Sequence, residues 1–365
     1  MEGMETAERI WERMKKKIVK RLAGATLLAA ICLLIWGHGK YTVEKSCTKQ
    51  IFAMDTVMNF TAYGKNCEEA VDAAIEEVRR LDALLSTGDD SSEISLLNRT
   101  GSGRGLSNDT TAIFHRGLEI YGDTDGLFDF TVYPLMCLWG FPTKEYHVPS
   151  PEELQEVLPL VDASKVRVGE DGTGEVCLGE GQQADFGGIA KGYASDRVME
   201  IYEEYGVTSG MVSLGGNVQV LGAKPDNSAW RVGIQDPEDD RGEMAAVLEA
   251  EDCAVVTSGG YERYFEEDGN TYIHILDPRT GCPADGDLAS VTVVSGDGTL
   301  ADALSTSLYI MGFEEAVSYW RENTDEFDMV LITADGKIYA TDGISDHLFS
   351  LTRTRKISKM ENDNG

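Results

Sequence analysis

Apolar positions recur at helical spacing through residues 66–85, where Val71, Ala74, Ile75, Val78, Leu81 and Leu85 fall on one face. Asn66 stands in front of them as an N-cap, with Glu69 three residues later. Ser150-Pro151-Glu152-Glu153 predicts another helix start, a capping box with proline at the first helical position. Residues 189–205, closed by Gly206, and residues 301–311 predict two more helices. Short β-branched and aromatic runs predict strands at 211–214, 218–221, 229–234, 271–276, 290–294 and 328–332. Asp268-Gly269 and Asp335-Gly336 are hairpin-tip signals. Helices and hairpins come in blocks without strict alternation. That predicts an α+β fold of mixed, largely antiparallel sheets with packed helices.

The first forty residues follow another pattern. Residues 1–21 hold seven Lys/Arg and four Glu, a block of +3, and residues 22–37 (LAGATLLAAICLLIWG) are sixteen positions without a charge. A basic region before an apolar one predicts a signal segment or a single membrane anchor. The basic flank belongs in the cytoplasm, which places the catalytic domain outside the cell membrane. Sixteen residues are slightly short for a span, and Ile18 and Val19 extend it if the basic residues snorkel. Gly37-His38-Gly39 is a weak cleavage signal, so an uncleaved anchor is expected. Residues 38–50 then predict a linker, 51–351 one domain, and 352–365 a polar tail.

Composition narrows the classes. The 365 residues include 63 Asp+Glu against 32 Lys+Arg, a net charge of −31, or −31 − 3 = −34 outside the basic block. Such acidity argues against a nucleic-acid partner, whose backbone needs a basic surface. Hydrophobic residues make up 42%, enough for a large core. Seven scattered cysteines with no CxxC argue against a disulfide scaffold or a structural zinc site. Six of them lie outside the apolar segment and leave fifteen pairings open.

Four stretches hold candidate chemistry, each with an ordinary alternative. Asp185-Phe186-Gly187-Gly188 leads through Ile189 and Ala190 to Lys191 and Gly192 at a strand-to-helix turn. Its backbone N–H groups and Lys191 suit an anion, or the turn is merely tight and the lysine superficial. Asp302 and Thr306 are four apart and share a helical face. They offer hard oxygens of the kind Mg²⁺ takes, or Asp302 caps its helix and Thr306 bonds back to a carbonyl. His274 alternates with apolar residues before Asp277-Pro278-Arg279-Thr280-Gly281 and is either a general base or a polar-face residue. Residues 126–141 are dense in aromatics around Asp129 and form either a pocket for a planar ring or plain core.

Taken in order, these stretches resemble the ApbE family of FAD:protein FMN transferases. The matching segments are Ala53-Met54-Asp55-Thr56, 92–98, Phe128-Asp129-Phe130-Thr131-Val132, 185–192, Leu214-Gly215-Gly216-Asn217, Thr257-Ser258-Gly259, 274–281 and 301–306. The resemblance covers about 51–345. It implies splitting of FAD, transfer of FMN to a Thr or Ser hydroxyl of an acceptor protein, and release of AMP. It implies Mg²⁺ held by Asp302, Thr306 and the carbonyl of Gly188, and FAD contacts at Met54, Leu127, Phe128, Asp129, Asp185, Lys191, His274, Ile275 and Leu276. His274 looks like the base for the acceptor hydroxyl, with Asp302 the other catalytic group. The implied acceptor belongs to an extracytoplasmic or membrane electron-transfer system. Two departures stand out: Gly88 where many relatives carry an aromatic that helps hold the flavin, and Phe130 where proline is common. An FAD pyrophosphatase and a non-catalytic FAD-binding protein are the competing readings.

Overall fold

Strand periodicity organises the molecule around one wide sheet. The structure is a computed structural model describing residues 45–362, except 171, 240–241 and 352–355. The basic block and apolar segment of residues 1–37 lie outside the described residues. Among the described residues no helix is long and apolar enough to cross a membrane.

Nine strands form the sheet, in the spatial order Ser46–Ala53, Thr56–Tyr63, Ser209–Leu214, Asn217–Leu221, Cys253–Gly259, Leu288–Ser295, Asp328–Thr333, Ile338–Thr341 and Ile357–Met360. Every neighbouring pair is antiparallel except the last, which is parallel. Alternate residues then meet two different layers. Ala254, Val256, Val291, Val293, Met329 and Leu331 face the helices Gly298–Met311 and Phe313–Glu322. Val255, Val294, Val330 and Ile332 face a three-stranded sheet that brings Trp230, Val232 and Leu248. The helices Cys67–Leu85 and Ala190–Glu204 cover the other end, over Met58, Phe60, Val212 and Leu214. The α+β architecture is therefore the one expected.

Several boundaries differ from expectation. The chain expected as linker over 38–50 is already in a strand from Ser46, because Cys47 and Ile51 pack inward. The tail expected from 352 supplies the edge strand Ile357–Met360, held by the buried side chain of Met360. Asn66 does not cap its helix with its side chain; its amide instead donates to the carbonyl of Tyr205 at 2.9 Å. The capping box at Ser150 and Glu153 forms as expected. The strand expected over 271–276 is Asn270–Ile273, paired with Tyr264–Glu267 around Asp268-Gly269. All six cysteines of the described domain are free.

Candidate active site

Two helices that exchange carboxylates build the centre of the site. The helix Gly298–Met311 starts three residues before the expected Ala301, and Asp297 caps it by accepting from Leu300 N. Asp196, from the helix Ala190–Glu204, accepts from Gly298 N and Thr299 N at 2.8 Å each and from Thr299 Oγ1 at 2.6 Å. In return, Asp302 Oδ2 accepts from Gly192 N at 2.8 Å. Each carboxylate thus satisfies orphan amides in the first turn of the other helix. The approach needs Gly192: a methyl there would sit 2.2 Å from the Gly298 carbonyl oxygen and 2.7 Å from Asp302 Cβ.

Asp302 is buried and does not cap its own helix. Its second oxygen, Oδ1, carries no hydrogen bond within the described residues. One turn on, the hydroxyl of Thr306 turns outward to Ser258 Oγ at 3.2 Å, while Ser305 takes the Asp302 carbonyl at 2.8 Å. Ser258 reaches this layer because its strand alternates, so 254, 256 and 258 share the helical side. Gly188 completes the group: a Cβ placed on it would lie 4.0 Å from Thr306 Oγ1 and 3.6 Å from Phe128 Cε2. Asp302 Oδ1, Thr306 Oγ1 and the neighbouring Gly188 form a hard-oxygen donor set, which fits a cation such as Mg²⁺ that also keeps water and phosphate ligands. Among the described residues no three His, Cys, Asp or Glu side chains gather as a metal cage.

His274 stands where the hairpin of Tyr264–Glu267 and Asn270–Ile273 enters the domain. The carbonyl of Arg263 accepts both from His274 N at 3.0 Å and from His274 Nδ1 at 3.1 Å. A carbonyl only accepts, so Nδ1 carries the proton and Nε2 keeps its lone pair. Burial pushes the imidazole pKa down to about 4, helped by the positive charges of Arg263 and Lys191. At neutral pH His274 is an uncharged base.

Other charged groups surround it. Asp185 accepts from Gly187 N at 2.6 Å; burial raises its carboxyl, opposed by that amide and by Arg263. Crowding by its neighbours raises the carboxyl of the exposed Glu262, which senses Lys191, Asp302 and Arg263. Asp185, Lys191, Glu262, Arg263, His274 and Asp302 therefore lie within one electrostatic neighbourhood. Thr257-Ser258-Gly259 is recognisable in the sequence, but nothing in the sequence marks Glu262 or Arg263 as functional. Their place after a glycine-ended strand carries no signal until the hairpin folds back onto His274.

The remaining expected residues are placed differently. The Asp129 carboxylate is committed to its own loop, accepting from Thr131 N at 2.7 Å, Thr131 Oγ1 at 2.5 Å and Ala163 N at 3.1 Å. Leu127, Ile275 and Leu276 are buried, so their side chains serve packing. Met54 and Asp55 form the tip of the first hairpin with left-handed backbone, φ 45° and 58°. Met54 packs against the core of the Cys67–Leu85 helix, a cluster separate from that of Phe128 and Ile275.

The profile of the ApbE family matches residues 54–331. The FAD:protein FMN transferase of Treponema pallidum (strain Nichols) is 33% identical over 340 residues, covering 87% of this chain and 93% of its own. That of Vibrio cholerae (serotype O1, Classical Ogawa) is 32% identical over 299 residues, 79% and 86% of the two chains. Among solved structures, the ApbE protein of Thermotoga maritima superposes with a TM-score of 0.77 at 31% identity, over 82% of this chain and 98% of that one. The flavin transferase ApbE from Vibrio cholerae gives 0.74 at 27% identity, over 83% and 99%. Matched from the first hairpin tip to the seventh strand of the wide sheet, and in fold across both faces of that sheet, this chain belongs to the ApbE family.

Proposed function

We propose that this protein transfers the FMN moiety of FAD to a Thr or Ser hydroxyl of an acceptor protein and releases AMP. The relatives named FAD:protein FMN transferase support the reaction class. One observation of this chain carries it furthest: the Arg263 carbonyl fixes the tautomer of His274 and leaves Nε2 as a proton acceptor within the field of Lys191.

In this reading the acceptor hydroxyl gives its proton to Nε2 of His274. Its oxygen bonds to the phosphorus on the FMN side, the pyrophosphate P–O bond breaks, and AMP leaves with the electron pair. A positioned base of this kind is worth about 10²–10⁴-fold. Lys191, in the first turn of its helix, and the turn amide of Gly188 neutralise and orient phosphate oxygens, while the Gly187 amide is held by Asp185. Asp302 Oδ1, Thr306 Oγ1 and the Gly188 carbonyl would hold Mg²⁺, which when bound supplies charge neutralisation at the pyrophosphate. The Asp302–Gly192 bond keeps that carboxylate rigid against the Lys191 helix. The apolar segment 22–37 supports anchoring in the cell membrane with the catalytic domain outside. The acceptor is then a protein of a membrane or extracytoplasmic electron-transfer system.

The test is incubation of the full chain with FAD, Mg²⁺ and a membrane extract containing acceptors. AMP together with a fluorescent protein band is expected, and chelation of divalent cations should abolish both. AMP with only free FMN would mean hydrolysis instead, and unchanged FAD would mean simple binding.

A further inference from the structure

Arg80, Arg99, Arg104, Arg116, Arg197 and Arg279 all stand in ion pairs with carboxylates. Among the described residues Arg263, like Arg79, Arg167 and Arg231, does not. Its guanidinium has no ion-pair or hydrogen-bond partner among the described residues, although the charges of Asp185 and Glu262 are near enough to be felt.

Its direction follows from register. Tyr264 pairs with Ile273 in the antiparallel hairpin, so the next rung sets Arg263 opposite His274, and the His274 N to Arg263 O bond is that rung. Residues directly opposite in an antiparallel pair project from the same face, with Cβ atoms about 5 Å apart. The guanidinium and the imidazole therefore leave the hairpin side by side, with Lys191 approaching the same imidazole from its helix. A cation beside a base that must take up a proton works against that base unless an anion arrives to offset it. A guanidinium is also the side chain best matched to two phosphate oxygens at once.

We propose that Arg263 is a substrate-binding residue whose guanidinium grips non-bridging oxygens of the pyrophosphate at the phosphorus attacked beside His274. The proposal rests on the flavin-transfer reading and adds to it the group that meets the charge of the phosphate being transferred. It also gives substrate a role in readying the base. With the phosphate bound, the positive field on His274 is cancelled and the imidazole becomes more basic.

The test compares the wild-type full chain with Arg263→Gln and Arg263→Lys, using ADP with Mg²⁺ as the probe. Calorimetry should show ADP binding weakened about 10- to 100-fold in Arg263→Gln, the worth of a charged hydrogen bond, and less in Arg263→Lys. The acid limb of kcat/KM in Arg263→Gln should move to higher pH, because one of the two cations facing His274 is gone and Lys191 alone remains. ADP affinity equal to wild type in Arg263→Gln overturns the proposal. So does an equal loss in both variants accompanied by a lowered melting temperature, which would mean a merely structural role. Failure of the flavin-transfer reading looks different: wild type forms no covalent flavin, whatever the ADP affinities.

Discussion

Nε2 is the ring nitrogen of His274 left to take a proton, because Nδ1 is spent on a main-chain oxygen. With the imidazole held near 4, the base is already neutral over the whole physiological range. Transfer measured as kcat/KM should be level through neutral pH and decline only as pH falls toward about 4, where His274 takes up a proton. A decline centred near the ordinary histidine value of about 6.5 would contradict this. The same shift acts on stability. The unfolded histidine binds its proton first as pH falls below about 6.5, so His274 destabilises the fold increasingly from there down to about 4. Gly88 is a second residue with a local consequence. Its backbone is not left-handed, and a Cβ there meets nothing closer than Ser86 Oγ at 3.7 Å. Its neighbour Thr87 reaches the hydroxyl of Tyr133, which in turn senses Asp185. Gly88→Tyr should therefore be tolerated, and its ring should tighten FAD binding about 2- to 10-fold, the worth of one aromatic pair, by flavin fluorescence titration. Phe130 stands where proline is common among similar chains. It proves to be core: buried, 5.3 Å from the rings of both Phe114 and Phe186, and accommodated by Gly117.

At the scale of elements, the site depends on two helices that cap each other. Glycine inside a helix costs up to about 1 kcal/mol, and here it allows the contact through which Asp302 holds Gly192 N. Gly192→Ala would drive a methyl into the Gly298 carbonyl, a backbone atom without freedom to yield. We expect a loss of about 1–3 kcal/mol in denaturant unfolding together with a loss of metal-dependent AMP release, since Asp302 must move with the helix. Unchanged stability and activity would show that the close approach is dispensable. Helix spans were largely readable from periodicity, and the Ser150 box from its residues alone. The helix start at Gly298 was not, because Asp297-Gly298 carries a turn signal and the following apolar run begins only later. The Asn66 amide was likewise legible as a cap by type, but the carbonyl of Tyr205, 139 positions away, competes for it.

At the scale of the molecule, the wide sheet positions everything: helices on one face carry Asp302, Thr306 and Lys191, and the strand Cys253–Gly259 leads into the hairpin that carries His274. Since the first strand starts at Ser46, a chain beginning at Tyr41 keeps every element of the described domain. It should be soluble and fully active in the FMN-transfer assay. Aggregation of this variant in detergent-free buffer would mean that residues 1–40 are part of the fold. What the sequence determined by itself was set by short-range periodicity and residue chemistry: the α+β class, the shared face of Asp302 and Thr306, the glycine turn before Lys191, and His274 ahead of its turn. Tertiary structure decided which atoms of those residues are free to act. It spent Asp302 Oδ2 on Gly192 and left Oδ1 unbonded, closed the Asp129 carboxylate into its own loop, and set Arg263 beside His274. The reason is physical: period and residue type are local properties, whereas the partner of a given oxygen or ring nitrogen is chosen among groups brought together from distant parts of the chain.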